Sequence, residues 1–283
     1  MKISEILNNK DATVSLEIFP PKTAQNISAV QKTVEKICEF NPDFISVTYG
    51  AGGTKSGYTS YMAKTIMNRN VTALSHLTCV NSTKDKVDRV IDELNGLGIE
   101  NILALRGDIP EGVDISHKCY FSYACELIEE IKTKGDFCIG AACYPETHPE
   151  SKNSEEDLLH LKQKVDCGAE FLTTQMFFDN EIFYRFKDNC LKHQIDVPII
   201  TGIMPITNIK QIGRSISLSG CSMPQEFTEI AAKYSDEKGN MSEAGIDYAV
   251  NQIKELMENG QRNIHIYTMN NLETTRQILD KLI

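Results

Sequence analysis

Short apolar runs rich in β-branched residues recur eight times along this 283-residue chain, and an amphipathic stretch follows each one. The runs are VSLEIF (14–19), DFISVTY (43–49), TALSHLTC (72–79), NILALRG (101–107), FCIGAACY (137–144), EFLTTQMF (170–177), VPIITGI (197–203) and NIHIYTM (263–269). A strand that is apolar nearly throughout has to be covered on both faces, as a parallel strand under helices is. Between the runs, Ile27, Val30, Val34 and Ile37 repeat at helical spacing over 24–40, as do Val87, Val90, Ile91 and Leu94 over 83–97. Further helices are expected near 57–69, 121–134, 154–167, 180–193, 207–219, 242–259 and 271–282. The one at 154–167 opens on Ser154 with Asp157 three residues on, in the manner of an N-terminal cap. Segment 220–242 reads as an insertion before the last unit, with Gly220, Pro224 and Gly239 as breakers.

Eight β–α units in this length predict an α/β fold, a (β/α)8 TIM barrel, as a single domain over 1–283. A doubly wound open sheet shares the alternation. Two features favour the barrel. No G-x-G-x-x-G follows the first run, and polar residues gather at the C-terminal ends of many different runs, where barrel active sites form.

The formal charge of −10 repels phosphate backbones and argues against nucleic acid as a partner. The nine cysteines include no C-x-x-C; Cys138/Cys143 and Cys119/Cys125 fit no zinc or cluster spacing, so reduced thiols of a cytoplasmic protein and no metal are expected. The N-terminus has no signal-peptide pattern, and no apolar run is long enough to span a membrane. The absence of G-x-S-x-G, H-E-x-x-H and a Walker loop argues against common hydrolases, metalloproteases and P-loop enzymes.

The run ends carry the chemistry. Glu17, between Leu16 and Ile18, is a carboxyl in an apolar strand; it is either a proton donor inside a barrel mouth or a strand-end residue paired with a cation. Thr48-Tyr49-Gly50-Ala51-Gly52-Gly53 suits a tight loop beside a bulky ligand or a flexible connection. His76 is a ligand group or a hydrogen-bonded core histidine. Arg106-Gly107-Asp108 offers a fork for phosphate or carboxylate, a close backbone approach and a negative charge, or is a plain turn. Tyr144 through Glu150 is a proline-stiffened loop containing His148; with Lys152 and Lys164 it could hold a pyrophosphate, or be a solvated loop. Gln175 suits the edge of a heterocycle.

Taken together, VSLEIFPPK, DFISVTYGAGG, SHLTC, ALRGD, AACYPETHPE, DLLHLKQKVDCGAEFLTTQMFFD, GIMPITN and IHIYTMN resemble the methylenetetrahydrofolate reductase family, in the family's order and over nearly the whole chain. The resemblance implies a barrel with non-covalent FAD across the strand ends. It implies reduction of 5,10-methylenetetrahydrofolate to 5-methyltetrahydrofolate in one-carbon metabolism, with hydride passing from NADH or NADPH to FAD to folate in a ping-pong mechanism. Glu17 then matches the general acid that opens the folate ring to an iminium cation. Asp108 matches the carboxylate beside flavin and pterin, favouring that cation and disfavouring a reduced, anionic flavin. Gln175 matches the amide on the pterin. Thr48, Tyr49, Ala51, His76, Arg106, Gly107, Asp108, Tyr123, Ala124 and Tyr144 match flavin contacts. His148, Lys152, Asp157, His160 and Lys164 match positions around the pyrophosphate and adenosine, and Gln211 the folate and nucleotide region.

The chain departs from some members at two places. Asn271 stands where they carry an Arg for the folate tail, with Arg276 one turn on. Ser215 stands where they carry a large stacking residue, with Ile212 and Ile216 beside it. These departures leave the donor open, including an iron–sulfur partner or ferredoxin-type carrier in place of NAD(P)H. A flavin-free, pterin-binding methyltransferase barrel is a third reading. The resemblance further implies a short, prokaryote-type enzyme that forms a homo-oligomer.

Overall fold

The computed structural model describes residues 1–49, 56–80, 82–108, 120–234 and 238–282. Eight strands run in parallel and in sequence order: β1 (Thr13–Ile18), β2 (Phe44–Val47), β3 (Thr72–Thr78), β4 (Asn101–Leu105), β5 (Cys138–Cys143), β6 (Phe171–Thr174), β7 (Ile199–Ile203) and β8 (Asn263–Tyr267). β8 pairs with both β7 and β1, so the sheet closes into a barrel and the open doubly wound alternative falls. In every strand but β7 the last residues of the apolar run lie beyond the ladder, at the C-terminal end of the barrel.

The helices are α1 (Ile3–Asn9), α2 (Ile27–Cys38), α3 (Ser56–Met67), α4 (Lys84–Gly96), α5 (Ala124–Lys134), α6 (Ser154–Cys167), α7 (Asn180–Lys192), α8 (Ile209–Ser219), α9 (Gln225–Lys233), α10 (Lys238–Glu258) and α11 (Leu272–Leu282). Three details differ from the sequence reading. The cap of α6 is Asn153, whose side chain accepts from Glu156 N, and Ser154 is already helical. The insertion 220–242 is partly ordered as α9, and Gly239 lies within α10 rather than breaking it. The short α1 was not anticipated. None of the helices among the described residues is long and apolar enough to cross a membrane.

Period-two alternation sorts each strand into two sets. The outward set, among them Leu16, Ile18, Ile45, Val47, Leu77, Ile102, Ile139, Leu172, Ile203, Ile264 and Ile266, packs under the helices in the largest core cluster. The inward set is layered. Near the N-terminal ends of the strands Phe44, Leu74, Leu103, Cys138, Phe171 and Ile200 form a second cluster, which Ile3, Ile6 and Leu7 of α1 cover from below. One layer higher the inward positions become polar: Glu17, Ser46, His76, Thr173 and His265. The barrel is thus sealed at one end and chemically equipped at the other. The eight described cysteines are free, and Cys119 lies outside the described residues.

Candidate active site

Glu17 is buried on β1 opposite Ser46 of β2 and Tyr267 of β8, because parallel register partners project to the same side. Its Oε2 lies 3.4 Å from Ser46 Oγ, 3.6 Å from His76 Nε2 and 3.7 Å from His265 Nε2. The strand end is clamped: Thr268 Oγ1 donates to Glu17 O at 2.5 Å, and the Asn270 amide accepts from Phe19 N at 2.9 Å and donates to Phe19 O at 3.0 Å. Met269 and Asn270 adopt left-handed backbone, with φ of 51° and 56°, to form the turn that carries this clamp.

Burial lowers the His76 pKa to about 4; Glu17 opposes the shift and His265 adds to it. The Tyr267 hydroxyl donates to Thr174 O at 2.7 Å, and burial, then Glu17, raises its pKa well above the usual phenol value. Gly202 makes room for this ring: a Cβ there would stand 2.4 Å from the Tyr267 hydroxyl and 2.5 Å from Thr174 O. Among the described residues, Thr48 Oγ1, His76 Nε2 and Thr173 Oγ1 are buried without a hydrogen-bond partner, polar atoms at the ends of three strands.

Above this layer a second group crosses the mouth. Tyr144, after β5, is half-buried, its pKa pushed up to about 12 by burial and then by Asp108; Gln175 hydrogen-bonds its hydroxyl. Arg106, after β4, grips Glu150 with two bonds of 2.6 Å, so the Arg106 fork is occupied by a side chain of the β5 loop. Gly107 takes φ +86° and packs on Thr78 and Val80. The same loop is tied to α6: Asp157 accepts from His148 N at 3.1 Å and from Ser151 Oγ at 2.9 Å. Lys164 Nζ donates to Ala142 O at 3.0 Å, and burial lowers its pKa against the pull of Asp157. The Tyr144 and His148 rings meet edge to face at 4.6 Å. Tyr123, the residue before α5, lies 6.3 Å from the His160 ring.

The structure therefore brings together Glu17 with His76, and Arg106, Asp108, Tyr144, His148, Asp157, Lys164 and Gln175 around the mouth. Tyr49 packs on the outer core, Ala124 opens α5, and Ala51 lies outside the described residues. Lys152 is exposed and paired with Glu156 at 3.2 Å. Gln211 accepts from Thr207 N at 2.8 Å, and the exposed Asn271 caps α11 by accepting from Thr274 N at 3.1 Å. Arg276 is held by Glu273 on the same helix. Ser215 is buried, with 5% of its surface exposed, whereas Ile216 beside it is 41% exposed, so the apolar surface of α8 is offered by Ile216. His265, Ser46, Ser15, Tyr267, Thr268 and Asn270 were not singled out from the sequence. The signal was present in the alternation Thr13, Ser15, Glu17 on β1 and Asn263, His265, Tyr267 on β8.

The family model for methylenetetrahydrofolate reductase matches residues 2–283. The chain belongs to the methylenetetrahydrofolate reductase family. As a member of it, the protein is an oxidoreductase. It is 36% identical over 270 residues to the 5,10-methylenetetrahydrofolate reductase of Escherichia coli (strain K12), covering 95% of this chain and 90% of the relative. It is likewise 36% identical over 278 residues to that of Buchnera aphidicola, covering 98% and 93%. The methylenetetrahydrofolate reductase (NADH) 1 of Arabidopsis thaliana is 34% identical over 283 residues, which cover 95% of this chain and 48% of the plant protein. Among solved structures, a Clostridium thermocellum protein that binds two copies of 5-methyl-5,6,7,8-tetrahydrofolic acid superposes with a TM-score of 0.69. It is 18% identical, and the match covers 100% of this chain and 98% of that one, a likeness of fold.

Proposed function

We propose that this chain, as one catalytic domain, reduces 5,10-methylenetetrahydrofolate to 5-methyltetrahydrofolate with a non-covalent FAD, taking hydride from NADH or NADPH in a ping-pong sequence. The single observation that carries the reading is Glu17: a carboxyl on the inner face of the barrel, buried beneath a mouth lined by Tyr144, Gln175 and Asp108. The unpartnered Thr48 Oγ1 and His76 Nε2 suit a buried heterocycle that supplies hydrogen-bonding edges. Thr48, Tyr49, Ala51, His76, Arg106, Gly107, Asp108, Tyr123, Ala124 and Tyr144 would hold the isoalloxazine end. His148, Lys152, Asp157, His160 and Lys164 would hold the pyrophosphate and adenosine, with cationic nitrogens against its charge. Bound there, FAD supplies two-electron hydride chemistry.

The chain's own residues do the rest. Glu17 holds a proton for the folate amine, so that the five-membered ring opens to an iminium. Asp108, exposed at the end of β4, places a negative charge where that cation develops. Gln175 fixes the pterin by donating and accepting along one edge. Gln211 and Asn271 border the folate, with Asn271 already committed to capping α11.

The test is a visible spectrum of the purified protein followed by anaerobic addition of NADH. A yellow protein whose flavin band bleaches with NADH and returns with methylenetetrahydrofolate is expected. A colourless chain that takes up no FAD sinks the reading. Glu17→Gln should keep bleaching by NADH and lose at least about 100-fold in the folate step, the usual size of a general-acid contribution.

A further inference from the structure

Two imidazoles flank the Glu17 carboxyl at nearly equal distance, and their surroundings differ. His76 Nε2 has no hydrogen-bond partner. His265 is bonded at both nitrogens, Nδ1 to Ser15 Oγ at 2.7 Å and Nε2 to Ser46 Oγ at 3.2 Å. Ser15 Oγ donates its only proton to Ile264 O at 3.1 Å, so it presents a lone pair to His265 and fixes an N–H at Nδ1. Nε2 is left to accept or release a proton. Its neighbour Ser46 Oγ also stands 3.4 Å from Glu17 Oε2, and one hydroxyl can donate to either side while accepting from the other.

We propose that His265, acting through Ser46, is a proton store that reprotonates Glu17 between turnovers. The inference rests on the reading of Glu17 as proton donor to folate. When Glu17 has given its proton to the folate amine it is a carboxylate. The His265 Nε2–H bond then breaks toward Ser46 Oγ as the Ser46 O–H bond breaks toward Glu17 Oε2. The carboxylic acid is restored, His265 becomes neutral, Ser46 is unchanged, and no electron moves. The store refills from water through Glu17 when the mouth is empty. His265 and Ser46 are positioning residues, since both act through Glu17. His76 does not take part in the relay, because its Nε2 has no hydrogen-bond partner through which a proton could pass, whereas His265 Nε2 meets Ser46 Oγ. The titratable groups facing His265 are Glu17 on β1, His76 on β3 and Tyr267 on β8, whose ring lies 5.6 Å away; Phe44 stacks at 6.0 Å on β2.

Two measurements test this. The first is a pH titration of the 15N-histidine-labelled protein by NMR, with no folate present. Neutral His265 is expected in the Nδ1–H tautomer, and Glu17→Gln is expected to shift its titration. The second is the steady-state rate of folate reduction against pH in Ser46→Ala, which removes one oxygen and spares the fold. A drop on the order of 10- to 100-fold with an altered pH profile is expected, with recovery in Ser46→Thr. A His265 titration indifferent to Glu17→Gln, or a Ser46→Ala enzyme with the original rate and pH profile, overturns the proton store. A native chain that leaves folate unreduced overturns the folate reading instead.

Discussion

Burial holds His76 at a pKa of about 4, below the 6.5 of an ordinary imidazole. The unfolded chain therefore takes up a proton at this residue near pH 6.5, and the folded chain only near pH 4. Between those values the unfolded state binds more protons, so stability falls as pH falls from 6.5 to 4, and the loss is complete below 4. The shift corresponds to a maximum of about 3 kcal/mol. His76→Gln should flatten the acid limb of a urea-midpoint profile over that window; superimposable limbs would show that the imidazole is not held neutral by the fold. At this scale the sequence was informative only where a residue conflicts with its neighbours. Glu17 among aliphatic residues was legible for that reason. His265 and Ser46 stood in the same polar phase of their strands, but which strands bring that phase together is settled only when β8 closes on β1. Gly202 was equally silent, since its reason is the Tyr267 ring arriving from another strand.

At the scale of elements, periodicity located every strand and the helices that cover them, because each unit repeats the same two-layer burial. The miss was α1. Seven residues with Ile3, Ile6 and Leu7 buried are too few for a helical period to stand out, and such a helix is held by packing rather than by propensity. Its place under the barrel gives it weight. Ile3 is fully buried against the cluster that contains Phe44, Leu74 and Phe171, and Ile3 N donates to Asn101 Oδ1 at 2.8 Å. Truncating it leaves a cavity beneath the inward layer, so Ile3→Ala should cost about 2–4 kcal/mol in urea denaturation. A loss under about 0.5 kcal/mol, the level of a surface change, would mean that α1 is not a structural floor. The mouth loop was legible in composition but not in connectivity. The Arg106–Glu150 pair joins two neighbouring units, and the bonds from His148 and Ser151 to Asp157 tie the β5 loop to its own helix, contacts that composition does not specify.

For the whole molecule, closure decides what the site can be. The polar layer draws Glu17 from β1, Ser46 from β2, His76 from β3 and His265 from β8, so strands from both ends of the chain complete one cluster. β8 also joins β7 to β1. Removing it exposes two edges at once and withdraws Ile264 and Ile266 from the outer core. If the chain is one cooperative domain, a fragment ending at residue 258, which lacks β8 and α11, should show no sigmoidal urea transition, whereas the full chain shows a single one. A fragment that still unfolds cooperatively would mean that the first seven units form an independent body, and that the polar cluster is assembled between two parts rather than within one.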